Sequence, residues 1–166
     1  MIEIPPAFSK KTFRQLFVPG ALFFCKNYNF SERDTKPKYI LVLNGRDQSD
    51  SSHFYLPTSQ VEKYRKISIY ANLMYTFPHG AVEAFSRETA IIIPNVHTKT
   101  YQYFERKYLR PSTSDYLNYC EMMPDHIMNN IYKMIVASHR ISLEIKRRIL
   151  PSRYIANDQD PSAEVR

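Results

Sequence analysis

The chain has 166 residues, 43% hydrophobic and 23% charged, with a net charge of +7 and a pI of 9.4. That size fits one domain with its own core, and no apolar run approaches the roughly 18–20 residues of a membrane helix. The basic balance favours a polyanionic partner, while only three glycines, Gly20, Gly45 and Gly80, exclude a Walker loop or dinucleotide fingerprint, both of which need clustered glycines.

The opening MIEIPPAFSKKTFRQLF lacks a signal-peptide pattern, so cytoplasm is the expected compartment. Ser9 is a plausible N-cap for a short helix to Phe17, and Pro19-Gly20 is a turn signal. ALFFCKNYNF has strand composition, SERDTKPK reads as a polar loop, and YILVL (39–43) reads as a buried strand. Asn44-Gly45 begins a turn that runs on through RDQSDSS, and HFYL (53–56) is the return strand, stopped by Pro57. The second half of QVEKYRKISIYANLMYTF has the composition of one or two strands, and Pro78-His79-Gly80 turns. TAIIIP (89–94) is a clear strand, residues 98–108 read as a short helix, and STSDYLNYCEMM reads as a polar connection.

One long helix is predicted from Pro124 to Leu150. Ile127, Ile131, Met134, Ile135, Ile141, Ile145 and Ile149 recur at helical spacing, and Lys146, Arg147 and Arg148 crowd its last turn. Ser138 interrupts that stripe and is read as a small packing residue. Cys25 and Cys120 read as two buried thiols, with a disulfide as the alternative. Strands first and a helix last predict an α+β domain over 1–150: a small, mostly antiparallel sheet or barrel with a long C-terminal α-helix. Residues 151–166 have the composition of a disordered tail.

The hairpin KPKYILVLNGRDQSDSSHFYLPTSQ carries the functional signal. Pro19-Gly20 precedes the first strand, Lys38-Tyr39 leads into Ile40-Leu41-Val42-Leu43, and the return strand ends in Pro57-Thr58-Ser59-Gln60. Over Pro19 to Gln60 this resembles the PemK/MazF-like toxin family, with Lys38-Tyr39 where that family carries Arg-Pro and Thr58-Ser59 as its Thr-Ser pair. The resemblance implies an SH3-like β-barrel and a toxin that cleaves single-stranded RNA. It also implies a homodimer held in check by an antitoxin protein. It places Lys38, Thr58 and Ser59 at the catalytic site.

Metal-free RNA cleavage needs a base for the 2′-hydroxyl, an acid for the leaving 5′-oxygen and donors around the phosphate. In an antiparallel hairpin, Lys38 at the entry of one strand and Thr58 just past the end of its partner share one end of the sheet. Lys38 then stabilises the phosphate and serves as acid, with Thr58 and Ser59 as hydrogen-bonding groups. Arg46 adds charge but lies in the turn at the opposite end. His79 or His97 reads as a general base or as a surface histidine. No histidine pair has zinc-site spacing, so no metal or cofactor is expected. The segment 99–119 interleaves Lys99, Arg106 and Lys107 with Tyr101 and Tyr103, a pattern of cations for phosphates and rings for bases, or of an amphipathic segment. The competing reading is a non-catalytic nucleic-acid- or protein-binding module on the same scaffold.

Overall fold

The apolar run Ile40–Leu43 is buried on both sides, and this organises the molecule. Successive strand side chains point to opposite faces, so an unbroken apolar run needs a cover on each. A computed structural model describes residues 9–155 and supplies both covers. The lead-in at 1–8 and most of the expected tail, 156–166, lie outside the described residues. In chain order the elements are α1 (Lys10–Leu16), β1 (Ala21–Asn29), β2 (Thr35–Asn44), β3 (Ser51–Tyr55), α2 (Val61–Arg65), α3 (Ser68–Ala71), β4 (Met74–Thr76), β5 (Ala90–Ile92), β6 (His97–Thr100), α4 (Tyr101–Leu109), β7 (Leu117–Met122), α5 (Asp125–Ala137), α6 (Leu143–Ile149) and α7 (Ser152–Ile155).

The fold is α+β. Five antiparallel strands run β6-β3-β2-β1-β7, and β4-β5 form a second, two-stranded sheet. Leu22, Leu41, Leu43 and Tyr55 face one core with Ile127, Ile131 and Ile135 of α5. Phe23, Cys25, Ile40, Val42 and Phe54 face a second, aromatic core with Phe13 and Phe17 beside α1 and Phe104 and Tyr108 of α4. Each such aliphatic side chain contributes about 1.5–3 kcal/mol by leaving water.

Two expectations are corrected. The sheet is open, not a closed barrel. After Tyr55 the chain turns away into β4 and β5, tied back by a bridge between Thr58 and Ala90, and β6 and β7 remain edges that do not meet. The long C-terminal helix is two helices. Ser138 is extended (φ −73°, ψ 122°) and its Oγ accepts from Arg140 N at 3.3 Å, so its hydroxyl competes with the helical backbone. Ser142 then caps α6, accepting from Ile145 N.

Smaller readings are refined as well. The strand at β2 extends back through Thr35–Lys38, and the polar connection contains β7. The segment before β4 is helical at α2 and α3. The start of the expected tail is the helical turn α7, whose Tyr154 packs on Tyr132 and donates to Asn129 Oδ1 at 2.9 Å. Both cysteines are free thiols, and burial pushes Cys25 up to about 11.

Glycine is required at two places. Gly20 sits at φ +87° in the turn into β1. At Gly45 a Cβ would lie 2.1 Å from the Phe17 carbonyl oxygen, so a bare backbone lets the β2–β3 loop touch the end of α1. Among the described residues no helix is long and apolar enough to cross a membrane.

Candidate nucleic-acid interface

Strand register decides where Lys38 goes. Leu41 pairs with Tyr55 and Val42 with Phe54, so the start of β2 and the chain beyond Tyr55 emerge at the same end of the sheet. Lys38, Thr58 and Ser59 line one open groove of about 320 Å³, together with Pro37, Tyr39 and Arg87. Thr58 is fixed twice. Its backbone exchanges hydrogen bonds with Ala90 at 2.8 and 2.9 Å, and its Oγ1 accepts from Gln60 N at 3.1 Å. The hydroxyl keeps its proton to donate and a second lone pair. Ser59 is exposed.

Alternation along β2 separates Lys38 from Tyr39. Tyr39 packs with Phe24 and Phe85, on the α5 side. The Lys38 ammonium instead lies 5.8 Å from the centroid of Phe30, a half-exposed ring edge-on to Tyr28. Lys36 lies 6.0 Å from the same ring and 3.5 Å from Asp34. In β6, His97 pairs with Phe54 and stacks on its ring at 5.9 Å. Lys99 Nζ sits 5.4 Å from the Tyr28 centroid and 5.0 Å from that of Tyr103. The outcome is a cluster of three ammonium groups against three aromatic rings, of which Phe30 is exposed, Tyr103 half-buried and Tyr28 buried, with an imidazole at its margin.

Electrostatics tune two of these groups. Burial, and then the neighbouring Lys36, lowers Lys38 below its ordinary 10.5. Burial, and then Lys38 and Lys99, lowers His97 below 6.5. The lowering favours the neutral form of the His97 imidazole and eases loss of the Lys38 ammonium proton.

The structure gives several predicted residues other tasks. Arg46 is at the far end, paired with Asp50 at 2.7 Å and stacked 4.7 Å over Tyr101. Tyr101 is itself core, packed on Phe13 and Phe17. Lys107 is buried and spends its donors on both Asp115 oxygens (2.8 and 2.7 Å) and on Asn27 O at 3.0 Å. Arg106 is exposed and lines a separate depression with Lys10 and Tyr103. Lys99 and Tyr103 do join Lys38. The Tyr103 hydroxyl donates to Asn29 Oδ1 at 3.0 Å and accepts from Asn29 N at 2.9 Å, which locks α4 to the end of β1.

His53 is a pin, not a base open to solvent. It is 2% exposed, with Nε2 2.8 Å from Asp47 Oδ2 and Nδ1 3.1 Å from Thr98 Oγ1. Glu88 is held by Arg65, and His79 lines a neighbouring cavity.

Sequence reasoning missed Tyr28, Phe30, Lys36 and Arg87. The first three had a signal: in the β1–β2 hairpin Tyr28 pairs with Lys36, so rings and lysines of that hairpin had to meet. Arg87 stood beside Glu88 in SRETA with no pattern of its own. Among the described residues no three His, Cys, Asp or Glu side chains are grouped as metal ligands. No protein-family model matches the chain, and no curated protein does either.

Proposed function

We propose that this chain cleaves single-stranded RNA without a metal ion, as the toxin of a toxin–antitoxin pair resembling the PemK/MazF-like family. The observation that carries the reading is that Lys38, Thr58 and Ser59 line one groove, while the Lys38 ammonium also joins a cluster with Lys36, Lys99 and the rings of Tyr28, Phe30 and Tyr103. The resemblance adds a homodimer, an antitoxin partner and the cytoplasm.

In this mechanism neutral His97 takes the proton of a 2′-hydroxyl. The 2′-oxygen attacks phosphorus and the bond from phosphorus to the 5′-oxygen breaks. Lys38 gives its proton to that oxygen, leaving a 2′,3′-cyclic phosphate and a 5′-hydroxyl. Thr58 and Ser59 donate hydrogen bonds to the phosphate oxygens as charge builds.

The test is labelled single-stranded RNA incubated in chelator. The parent yields fragments with cyclic-phosphate ends. Lys38→Ala and Thr58→Ala each lower the rate about a hundredfold or more while circular dichroism stays unchanged. Variants that cut as fast as the parent would overturn the site.

One observation favours a second reading. The Thr58 hydroxyl already accepts from Gln60 N, and Lys38 provides a single point charge where an arginine would provide a fork. A binding module would then hold RNA without cutting it, and the same experiment separates the two by salt-sensitive retention without fragments.

A further inference from the structure

We infer that a second cavity, sharing a wall with the groove, reads a guanine base of the bound strand, with Arg87 as the reading residue; this rests on the RNA function proposed above. The cavity holds about 420 Å³, and its lining includes the apolar Phe77, Val82 and Phe85 and the polar His79, Arg87 and Thr89. Phe85, Arg87 and Thr89 also line the groove that holds Lys38 and Thr58, so the two spaces are neighbours. A nucleotide whose phosphate sits in the groove has its base within reach of the cavity.

Part of the lining is apolar and well buried. Phe77 is 5% exposed and Val82 2%, and Phe77 meets Phe85 with centroids 5.1 Å apart. Such a surface takes the π-face of any base. The mouth is open at Gly80, where even a Cβ would touch nothing within 4 Å. The volume falls in the range of small-molecule sites, about 300–1,000 Å³.

The selecting group is the guanidinium. Arg65 donates to both oxygens of the adjacent Glu88, whose side chain also lines the cavity, and no contact between Glu88 and Arg87 is seen among the described residues. Among the described residues the Arg87 guanidinium has no hydrogen-bonding or ionic partner. Thr89 Oγ1 donates to the Arg87 carbonyl at 2.9 Å and steadies the backbone that carries it. A guanidinium offers two parallel donors. Guanine presents two acceptors on one edge, O6 and N7. On the corresponding edge adenine and cytosine each place an amino donor, and uracil offers one carbonyl, O4. The fork therefore matches guanine.

The experiment reads base preference rather than rate. A randomised single-stranded RNA pool is treated with the protein in chelator, and retained and cut sequences are determined. Guanine should be enriched at one fixed position for the parent, and Arg87→Lys, which keeps the charge but loses the fork, should reduce that enrichment at least tenfold. In parallel, the parent is titrated with the four nucleoside 5′-monophosphates, and the guanosine form should bind at least tenfold more tightly than the others. That second measurement decides the matter even if the variant fails to fold. A parent that acts on RNA without guanine enrichment, or a lysine variant that retains it, overturns the inference alone. A parent that neither binds nor cuts RNA overturns the RNA function, and the inference falls with it.

Discussion

In the proposed mechanism Lys38 and His97 make opposite demands on pH. As a base His97 must be neutral, so activity is lost as pH falls through its pKa, which burial and two lysines place below 6.5. As an acid Lys38 must be charged, so activity is lost as pH rises through its pKa, which burial and Lys36 place below 10.5. The pH–rate profile should be bell-shaped, with both limbs displaced downward from the ordinary histidine and lysine values. His97→Ala should remove the acid limb and lower the plateau about a hundredfold; an acid limb that survives this substitution would clear His97 of the role. At this scale the legible part was the hairpin. Strand pairing alone brings Lys38 to Thr58. What stayed hidden was the phase of α4. Tyr101, Phe104 and Tyr108 take its core face, and Lys107 follows them inward because Asp115 is there to receive it.

Asp47 joins two elements. Burial works against its charge, but hydrogen bonds from His53, from Ser51 N and from the Ser49 hydroxyl and N hold its carboxyl well below the ordinary 3.8. Arg148 of α6 reaches Asp47 Oδ2 at 3.4 Å, and the Arg148 carbonyl accepts from Asn44 Nδ2 at 2.7 Å. The β2–β3 loop and α6 are thus fastened to one carboxylate. A carboxyl depressed by folding stabilises above its unfolded pKa, so this contribution is full at neutral pH and drains away as pH drops below 3.8. Asp47→Ala leaves the His53 ring nitrogen buried without a partner and should cost about 1–3 kcal/mol in urea unfolding at pH 7. The cost should shrink in acid. The apolar stripe read as one helix from Pro124 to Leu150 and could not reveal the break between α5 and α6. A serine in a stripe reads as a small residue, and only the paired serines at 138 and 142, one stopping and one starting, mark two helices. β7 was overlooked for a related reason: Asn118, Tyr119 and Met122 are exposed, so an edge strand reads as loop.

For the molecule as a whole, the charge of +7 is not spread evenly in effect. Arg65, Lys107 and Arg148 are tied to carboxylates, whereas Lys38 and Lys99 lie over rings at one end of the sheet, with Lys36, itself 3.5 Å from Asp34, beside them. If those three lysines carry the RNA phosphates, log K against log salt should have a slope of about −2. Filter binding across a salt series measures it, and Lys99→Ala should make the slope shallower by about 0.7. A slope near zero would mean the patch holds no phosphates. Composition could announce a basic α+β domain. It could not announce an open sheet, since closure depends on where the chain goes after Tyr55, and the aromatic and β-branched residues there suit a strand or a helical turn alike.

The strand order has a consequence for synthesis. β1 leaves the ribosome well before its second neighbour, β7, with β2 to β6 made between them. Until β7 emerges, one margin of β1 offers bare amides and carbonyls to whatever passes. A nascent chain stalled before that point would carry the lysine-and-ring end of the sheet but not the strand that seals its flank.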